Sequence, residues 1–167
     1  HDLPFLGICF GFQMAVIEFA RNVCGLRDAG STEFDPDLPR SVIDILPEQK
    51  RIEGLGGNMR LGGKDVRLKP NTLASFLYGE PGKVGSEPAF PPLVIRQRFR
   101  HRFEVDPHYI DTLEQHGMVF SGHHPDQPIM QILELPPSKH PFFIGAQFHP
   151  ELTSRPLQPS PIFMGLA

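Results

Sequence analysis

The stretch LPFLGICFGFQ at residues 3–13 decides how this sequence can fold and what it can do. The apolar residues 3–6 predict a buried strand, and residues 14–23 have the apolar spacing of a helix. Between them, Cys9 lies two residues from a glycine on either side, at a turn that needs residues without bulk. A cysteine at a helix N-terminus is favoured as the thiolate. The stretch therefore predicts a nucleophile elbow, with a buried structural cysteine as the alternative that it leaves open.

The composition is typical of a soluble globular domain. The chain has 167 residues, of which 40% are hydrophobic and 21% are charged. A net charge of −3 gives no electrostatic case for binding nucleic acid or an anionic membrane. No apolar run approaches the roughly 20 residues that span a bilayer, and no secretory signal opens the chain.

The two cysteines, Cys9 and Cys24, are expected to be free thiols. If residues 10–24 are helical, the cysteines lie about 20 Å apart along the helix axis. A disulfide requires Cα atoms within about 7 Å. Free thiols fit a reducing compartment, so we expect a cytoplasmic protein. Cys24 precedes Gly25 at the end of the helix and is interpreted as a packing residue.

Strand and helix patterns alternate along the rest of the chain and predict a single α/β domain over residues 1–167. A helix is expected over 72–78, capped by Asn71, and another over 108–116. Residues 79–92 are rich in proline and glycine and predict a loop. Strands are expected at 42–46, 59–61, 94–105, 118–120, 129–135 and 142–148.

A second chemical signal follows the strand predicted at 142–148, which runs into His149-Pro150-Glu151. The proline biases His149 away from helix, so the imidazole should sit at the strand end, where active-site groups of open α/β sheets gather. A thiolate nucleophile needs a base to take and return a proton, and a carboxylate can orient that base. Cys9, His149 and Glu151 supply these three groups. An ordinary surface turn is the alternative for residues 149–151 taken alone.

The two motifs together resemble those of the class I, triad-type glutamine amidotransferases. Five further segments narrow the resemblance to the glutaminase domain of the CTP synthases. They are EFARNV at 18–23, STEFDP at 31–36, RHRFEV at 100–105, TSRP at 153–156 and PSPIF at 159–163. The resemblance implies a mostly parallel, flavodoxin-like sheet flanked by helices, with Cys9 at an elbow and His149 at a strand end.

The resemblance also implies a role for each matched position. Cys9 would attack the side-chain amide of glutamine and form a glutamyl thioester, with release of ammonia. His149 would act as general base and then acid, and Glu151 would orient it. The backbone N–H of Phe10 would donate to the oxyanion of the tetrahedral intermediate.

Three further positions match residues that contact glutamine in this family: Gln13, Glu33 and Arg102. Glutamine carries an α-ammonium group, which Glu33 can hold, and an α-carboxylate, which Arg102 can hold. An ordinary solvated strand arginine is the alternative for Arg102, and more so for Arg100.

The resemblance implies partners that these 167 residues do not supply. The family has a glycine-rich segment before the nucleophile that donates to the oxyanion, and a synthetase domain that uses ATP and Mg²⁺ to aminate UTP to CTP. We expect that the chain is truncated at both ends and that the fragment alone is weakly active or inactive. No cofactor is expected in this domain, and a homo-oligomer is expected for the full-length enzyme.

Two other functions are compatible with these residues. A triad cysteine hydrolase acting on γ-glutamyl peptides would share Cys9, His149 and Glu151. A catalytically silent assembly module would keep the fold without the chemistry. A metal site at His123 and His124 is not expected, because adjacent residues of a strand point to opposite faces.

Overall fold

The structure, a computed structural model, describes residues 2–45, 59–79 and 93–167. The helices are α1 (Phe10–Asn22), α2 (Leu73–Tyr78), α3 (Ile110–Gln115) and α4 (Pro161–Leu166), with 3₁₀ turns at Pro107–Tyr109 and Pro150–Leu152. The strands are β1 (Phe5–Ile8), β2 (Ala29–Ser31), β3 (Arg40–Asp44), β4 (Arg60–Leu68), β5 (Val94–His101), β6 (Glu104–Val105), β7 (Val119–His123), β8 (Met130–Glu134) and β9 (Phe143–Ala146).

The described strands form a larger sheet in the order β1-β9-β8-β7-β4-β5 and a smaller one in the order β2-β3-β6. The α/β architecture is confirmed, but the larger sheet is mixed rather than mostly parallel. Among its described strands, β1 and β9 form the one parallel pair. Short connections at 124–129 and 135–142 join β7 to β8 and β8 to β9, and such connections give antiparallel neighbours, whereas parallel strands need a long crossover.

Helices cover both faces of the larger sheet. On one face α1 buries Phe12 and Val16 against a cluster that includes Leu133 of β8. On the other face α2 and α4 lie over a cluster that includes Ile144 and Phe148. The prediction of flanking helices is therefore confirmed. Along the chain, α1 begins two residues after the end of β1.

Local details differ from the sequence prediction at the start of α2. Thr72, not Asn71, is the N-cap: its hydroxyl accepts from the Ser75 N–H at 3.2 Å, and the Ser75 hydroxyl accepts from the Thr72 N–H at 3.0 Å. Asn71 has φ of 59° and forms the turn before the cap. Asparagine tolerates this left-handed conformation better than most residues, which explains its place there.

Cys9 and Cys24 are both free, and Cys24 packs against the cluster under α1, as expected. No helix in the described ranges is long and apolar enough to cross a membrane. Residue 46 of one predicted strand, and all but the first residue of the loop predicted at 79–92, lie outside the described residues.

Candidate active site

Cys9 occupies a strained turn between β1 and α1. Its backbone has φ of 51° and ψ of −97°, a conformation that residues with a side chain rarely adopt. The turn is held by two backbone hydrogen bonds: Cys9 N–H donates to Ala146 at 2.7 Å, and Gln13 N–H donates to the Cys9 carbonyl at 3.2 Å. Strain of this kind persists only where surrounding structure enforces it, and it concentrates at functional sites.

His149 and Glu151 lie at the same edge of the sheet. Because β1 and β9 are parallel, with Ile8 opposite Ala146, Cys9 and the chain after β9 emerge at the same end of adjacent strands. His149 N–H donates to the carbonyl of Arg98 at 2.8 Å, which fixes the backbone. The His149 Nδ1 atom lies 2.6 Å from Glu151 Oε1.

That contact determines which nitrogen of His149 is available for chemistry. With Nδ1 bound to a carboxylate, Nε2 is the nitrogen that can exchange a proton. It is buried and has no hydrogen-bond partner among the described residues. The imidazole is thus oriented by Glu151 as a triad requires.

Burial raises the pKa of the Cys9 thiol, and the charges of Glu151 and Glu104 raise it further. Two hydrogen bonds, from the Phe10 N–H and from the Gln147 side chain, act in the opposite direction. With its pKa raised above the ordinary value, the Cys9 thiol would need a base to act as a nucleophile.

Gln147 is a site residue that the sequence reasoning missed. It is fully buried, its Nε2 lies 3.6 Å from Cys9 Sγ, and its Oε1 lies 3.4 Å from Gln13 Nε2. The signal was present in the sequence: an amide in an otherwise apolar strand, in the same alternation phase as Phe143 and Gly145. That phase faces α1 and the elbow.

Gln13, predicted to contact substrate, is almost fully buried and is held by the protein. Its Nε2 donates to the carbonyl of Phe103 at 3.1 Å as well as to Gln147. The bond to Phe103 attaches the segment between β5 and β6 to α1. Arg102, one residue earlier, is exposed on that segment.

Glu33 lies next to a residue that contacts the start of α1. It is exposed in the turn after β2, where its N–H donates to the Ser31 hydroxyl at 3.1 Å. The next residue, Phe34, meets the ring of Phe10 edge to face with centroids 5.8 Å apart. Two separate contacts thus bring the Glu33 and Arg102 segments to the N-terminal half of α1.

A buried polar cluster supports the segment that carries Arg102. Glu104, fully buried, accepts from His101 Nε2 at 2.7 Å and lies 3.6 Å from Arg60 Nε. His101, which lies between two arginines in the sequence, is therefore a buried partner of Glu104. The cluster links the ends of β4, β5 and β6.

The side chains of His123 and His124 form hydrogen bonds with backbone groups of their own turn. His123 Nδ1 donates to the His124 carbonyl at 2.8 Å, and His124 Nδ1 accepts from the Asp126 N–H at 3.2 Å. In the part of the chain that the structure describes, no group of His, Cys, Asp and Glu has metal-binding geometry.

Comparison with known proteins gives the same result from sequence and from structure. The family model described as glutamine amidotransferase class-I matches residues 1–167. The chain is 53% identical over 167 residues to the CTP synthase of Thermococcus gammatolerans, covering 99% of this chain and 29% of that protein. It is 54% identical over 166 residues to the CTP synthase of Haloarcula hispanica, covering 99% and 28%.

A solved structure also matches. The Trypanosoma brucei CTPS glutaminase domain with bound acivicin superposes with a TM-score of 0.83 at 29% identity, covering 99% of this chain and 59% of that one. The chain thus spans less than a third of the length of these curated relatives. The similarity covers every residue discussed above.

Proposed function

The chain belongs to the class-I glutamine amidotransferases, and from that premise we propose that it hydrolyses glutamine to glutamate and ammonia through a thioester on Cys9. One observation carries the proposal: a cysteine in a strained elbow at the same sheet edge as a histidine whose Nδ1 is bound by a carboxylate. A structural cysteine would not require this arrangement.

The first half of the reaction forms the thioester. His149 Nε2 takes the proton of Cys9, and Sγ bonds to the side-chain amide carbon of glutamine. The negative charge on the amide oxygen is met by the Phe10 N–H, the first amide of α1, where the helix dipole adds to the effect. The carbon–nitrogen bond then breaks as His149 returns the proton to the nitrogen, which leaves as ammonia.

The second half regenerates the enzyme. Water gives a proton to His149 Nε2 and attacks the thioester carbon. The carbon–sulfur bond breaks, the proton passes to Sγ, and glutamate leaves. Glu151 keeps Nδ1 protonated throughout, so that the same nitrogen works in both halves.

Recognition of glutamine is assigned to two charged groups on segments that contact the first turns of α1. Glu33 provides a carboxylate for the α-ammonium group, and Arg102 provides a guanidinium for the α-carboxylate. Gln13 has Nε2 occupied by protein acceptors, so its contribution to substrate binding falls on Oε1 and on holding the Arg102 segment.

The wider reaction is proposed from the relatives named CTP synthase. Ammonia would pass to a synthetase domain of the same polypeptide, which aminates UTP to CTP with ATP and Mg²⁺ in a cytoplasmic homo-oligomer. No cofactor is assigned to the domain described here.

The test uses the intact polypeptide with either glutamine or ammonium chloride as nitrogen donor. Cys9→Ala should abolish CTP formation from glutamine and preserve it from ammonium. Cys24→Ala, the other free thiol, is the matched control and should leave both intact. Loss of both activities in Cys9→Ala would contradict the division of labour. Hydrolysis of γ-glutamyl peptides in preference to glutamine would favour the peptidase alternative, and no turnover of either would favour the silent module.

A further inference from the structure

Gln147 directly follows β9, and it is the polar residue in the otherwise apolar stretch 142–148 that leads to His149. It has no exposed surface. Burial of an amide costs free energy unless its groups are hydrogen-bonded, and both polar groups of the Gln147 amide have a partner. Its two polar atoms both meet groups of the elbow.

The neighbours of Gln147 fix which way the amide points. Gln13 Nε2 can only donate, so the atom of Gln147 that faces it at 3.4 Å must be the acceptor, Oε1. Gln13 is itself fixed by its second bond, to the Phe103 carbonyl. The Nε2 group of Gln147 is then directed at Cys9 Sγ, 3.6 Å away, within the range of a hydrogen bond to sulfur.

The hydrogen bond from Gln147 to Cys9 matters because the surroundings of Cys9 disfavour a negative charge on its sulfur. Burial disfavours a negative sulfur most, and the charges of Glu151 and Glu104 add to this effect. His149 becomes positive only after it has taken the proton. The groups that favour the thiolate before that transfer are neutral donors, the Phe10 N–H and Gln147 Nε2.

We propose that Gln147 is a thiolate-stabilising residue: its Nε2 donates to Cys9 Sγ as the proton leaves, and Gln13 holds its amide in the donating orientation. This inference rests on the proposed function and deepens it, because it assigns a further residue that contacts the reacting sulfur atom. Its test measures the thiolate itself and does not depend on turnover.

The neighbouring strand offers a matched control. Gln131 lies opposite Gln147 on β8, and the Gln147 N–H donates to its carbonyl at 2.9 Å. It is equally buried, and its side-chain amide has no hydrogen-bond partner among the described residues. Gln131→Met and Gln147→Met thus make the same change of shape in the same layer, and only one removes a donor from Sγ.

The experiment follows alkylation of Cys9 by iodoacetamide from pH 6 to pH 10 in the intact polypeptide, with Cys24 as internal reference thiol. Thermal unfolding checks each variant. Gln147→Met should lower the alkylation rate of Cys9 at pH 7 about tenfold and shift its pH profile upward, since a hydrogen bond to a charged group is lost. Gln131→Met should match the wild type within twofold.

Gln147→Glu extends the test should Gln147→Met fail to fold. It keeps the acceptor for Gln13 and replaces the donor with a negative oxygen, so its alkylation rate at pH 7 should fall further. A Cys9 profile unchanged in the folded Gln147 variants, or an equal shift in Gln131→Met, overturns the inference. Glutamine turnover is measured separately: a wild type without it contradicts the proposed function even where the Gln147 shift is found.

Discussion

Gly7 and Gly11 face each other across the elbow at a distance that admits no side chain on Gly7. A Cβ there would lie 2.7 Å from both the carbonyl carbon and the carbonyl oxygen of Gly11, and these are backbone atoms of the first turn of α1. We therefore expect Gly7→Ala to destabilise the protein by about 1–3 kcal/mol, because the helix start must move. The same shift should displace Sγ and lower glutamine turnover by about 10²-fold.

Gly11→Ala is the matched control for that prediction. A Cβ on Gly11 would meet nothing within 4 Å, and alanine is the better helix former. Urea unfolding should show Gly11→Ala to be as stable as the wild type or slightly more so. Equal losses in the two variants would contradict the account of the elbow.

The elbow was predictable from sequence because its requirements are local. A strand, a cysteine two residues from a glycine on either side and a helix with an apolar face leave one sharp turn as the connection. The sequence could also suggest His149 and Glu151 as an oriented base. The two residues lie two positions apart along the chain, and Pro150 biases the backbone of His149 away from helix. These predictions needed no knowledge of long-range contacts.

Gln147 and the sheet directions could not be read in the same way. The role of Gln147 depends on Gln13 and Cys9, which are brought to it by the pairing of β1 with β9 across most of the chain. The buried Glu104 likewise depends on Arg60, which a long segment separates from it. Pairing between distant segments is a tertiary property, and a strand pattern states neither its partner nor its direction.

Glu151→Gln tests the orientation of the base. The amide can no longer act as a charged acceptor for His149 Nδ1, so the tautomer with a free Nε2 loses its support. We expect glutamine turnover to fall by at least about 10²-fold while iodoacetamide still alkylates Cys9. Glu18→Gln, an exposed glutamate on α1 bonded to Asn22, should retain full turnover. An unchanged rate in Glu151→Gln would remove Glu151 from the triad.

Arg102→Ala tests recognition of the substrate carboxylate. Loss of the proposed two-pronged charge-assisted contact should raise KM for glutamine about tenfold or more, with a smaller effect on kcat. Arg102→Lys should recover only part of the affinity, since an ammonium cannot reproduce the planar contact. Arg100→Ala, an exposed strand arginine two residues earlier, is the control and should keep the wild-type KM. Equal effects at both positions would point to a general electrostatic role.

The pH dependence of Cys9 alkylation in the wild type follows from the direction of its pKa shift. Burial raises the pKa above the ordinary value of 9.0, so the thiolate fraction should increase as pH rises through 7 and 8 and should still be increasing at pH 9. The rate of alkylation by iodoacetamide, which needs the thiolate, should follow the same curve. A plateau near pH 7 would instead show a thiolate already paired with a protonated His149.

Glu134 provides a stability prediction independent of the active site. Its carboxylate is buried at the end of β8, where Oε1 accepts from the Leu73 N–H at 2.7 Å and Oε2 from the Ala74 N–H at 3.0 Å. It thereby satisfies two of the amides that the first turn of α2 leaves free. Glu134→Gln turns one acceptor into a donor facing an N–H, so we expect a loss of about 1–3 kcal/mol in the free energy of unfolding.

Glu114→Gln alters an exposed carboxylate 3.5 Å from Lys69 Nζ and should cost less than about 1 kcal/mol. Urea unfolding of both variants decides the matter, because equal stabilities would show that the Glu134 carboxylate does not hold α2 to the sheet.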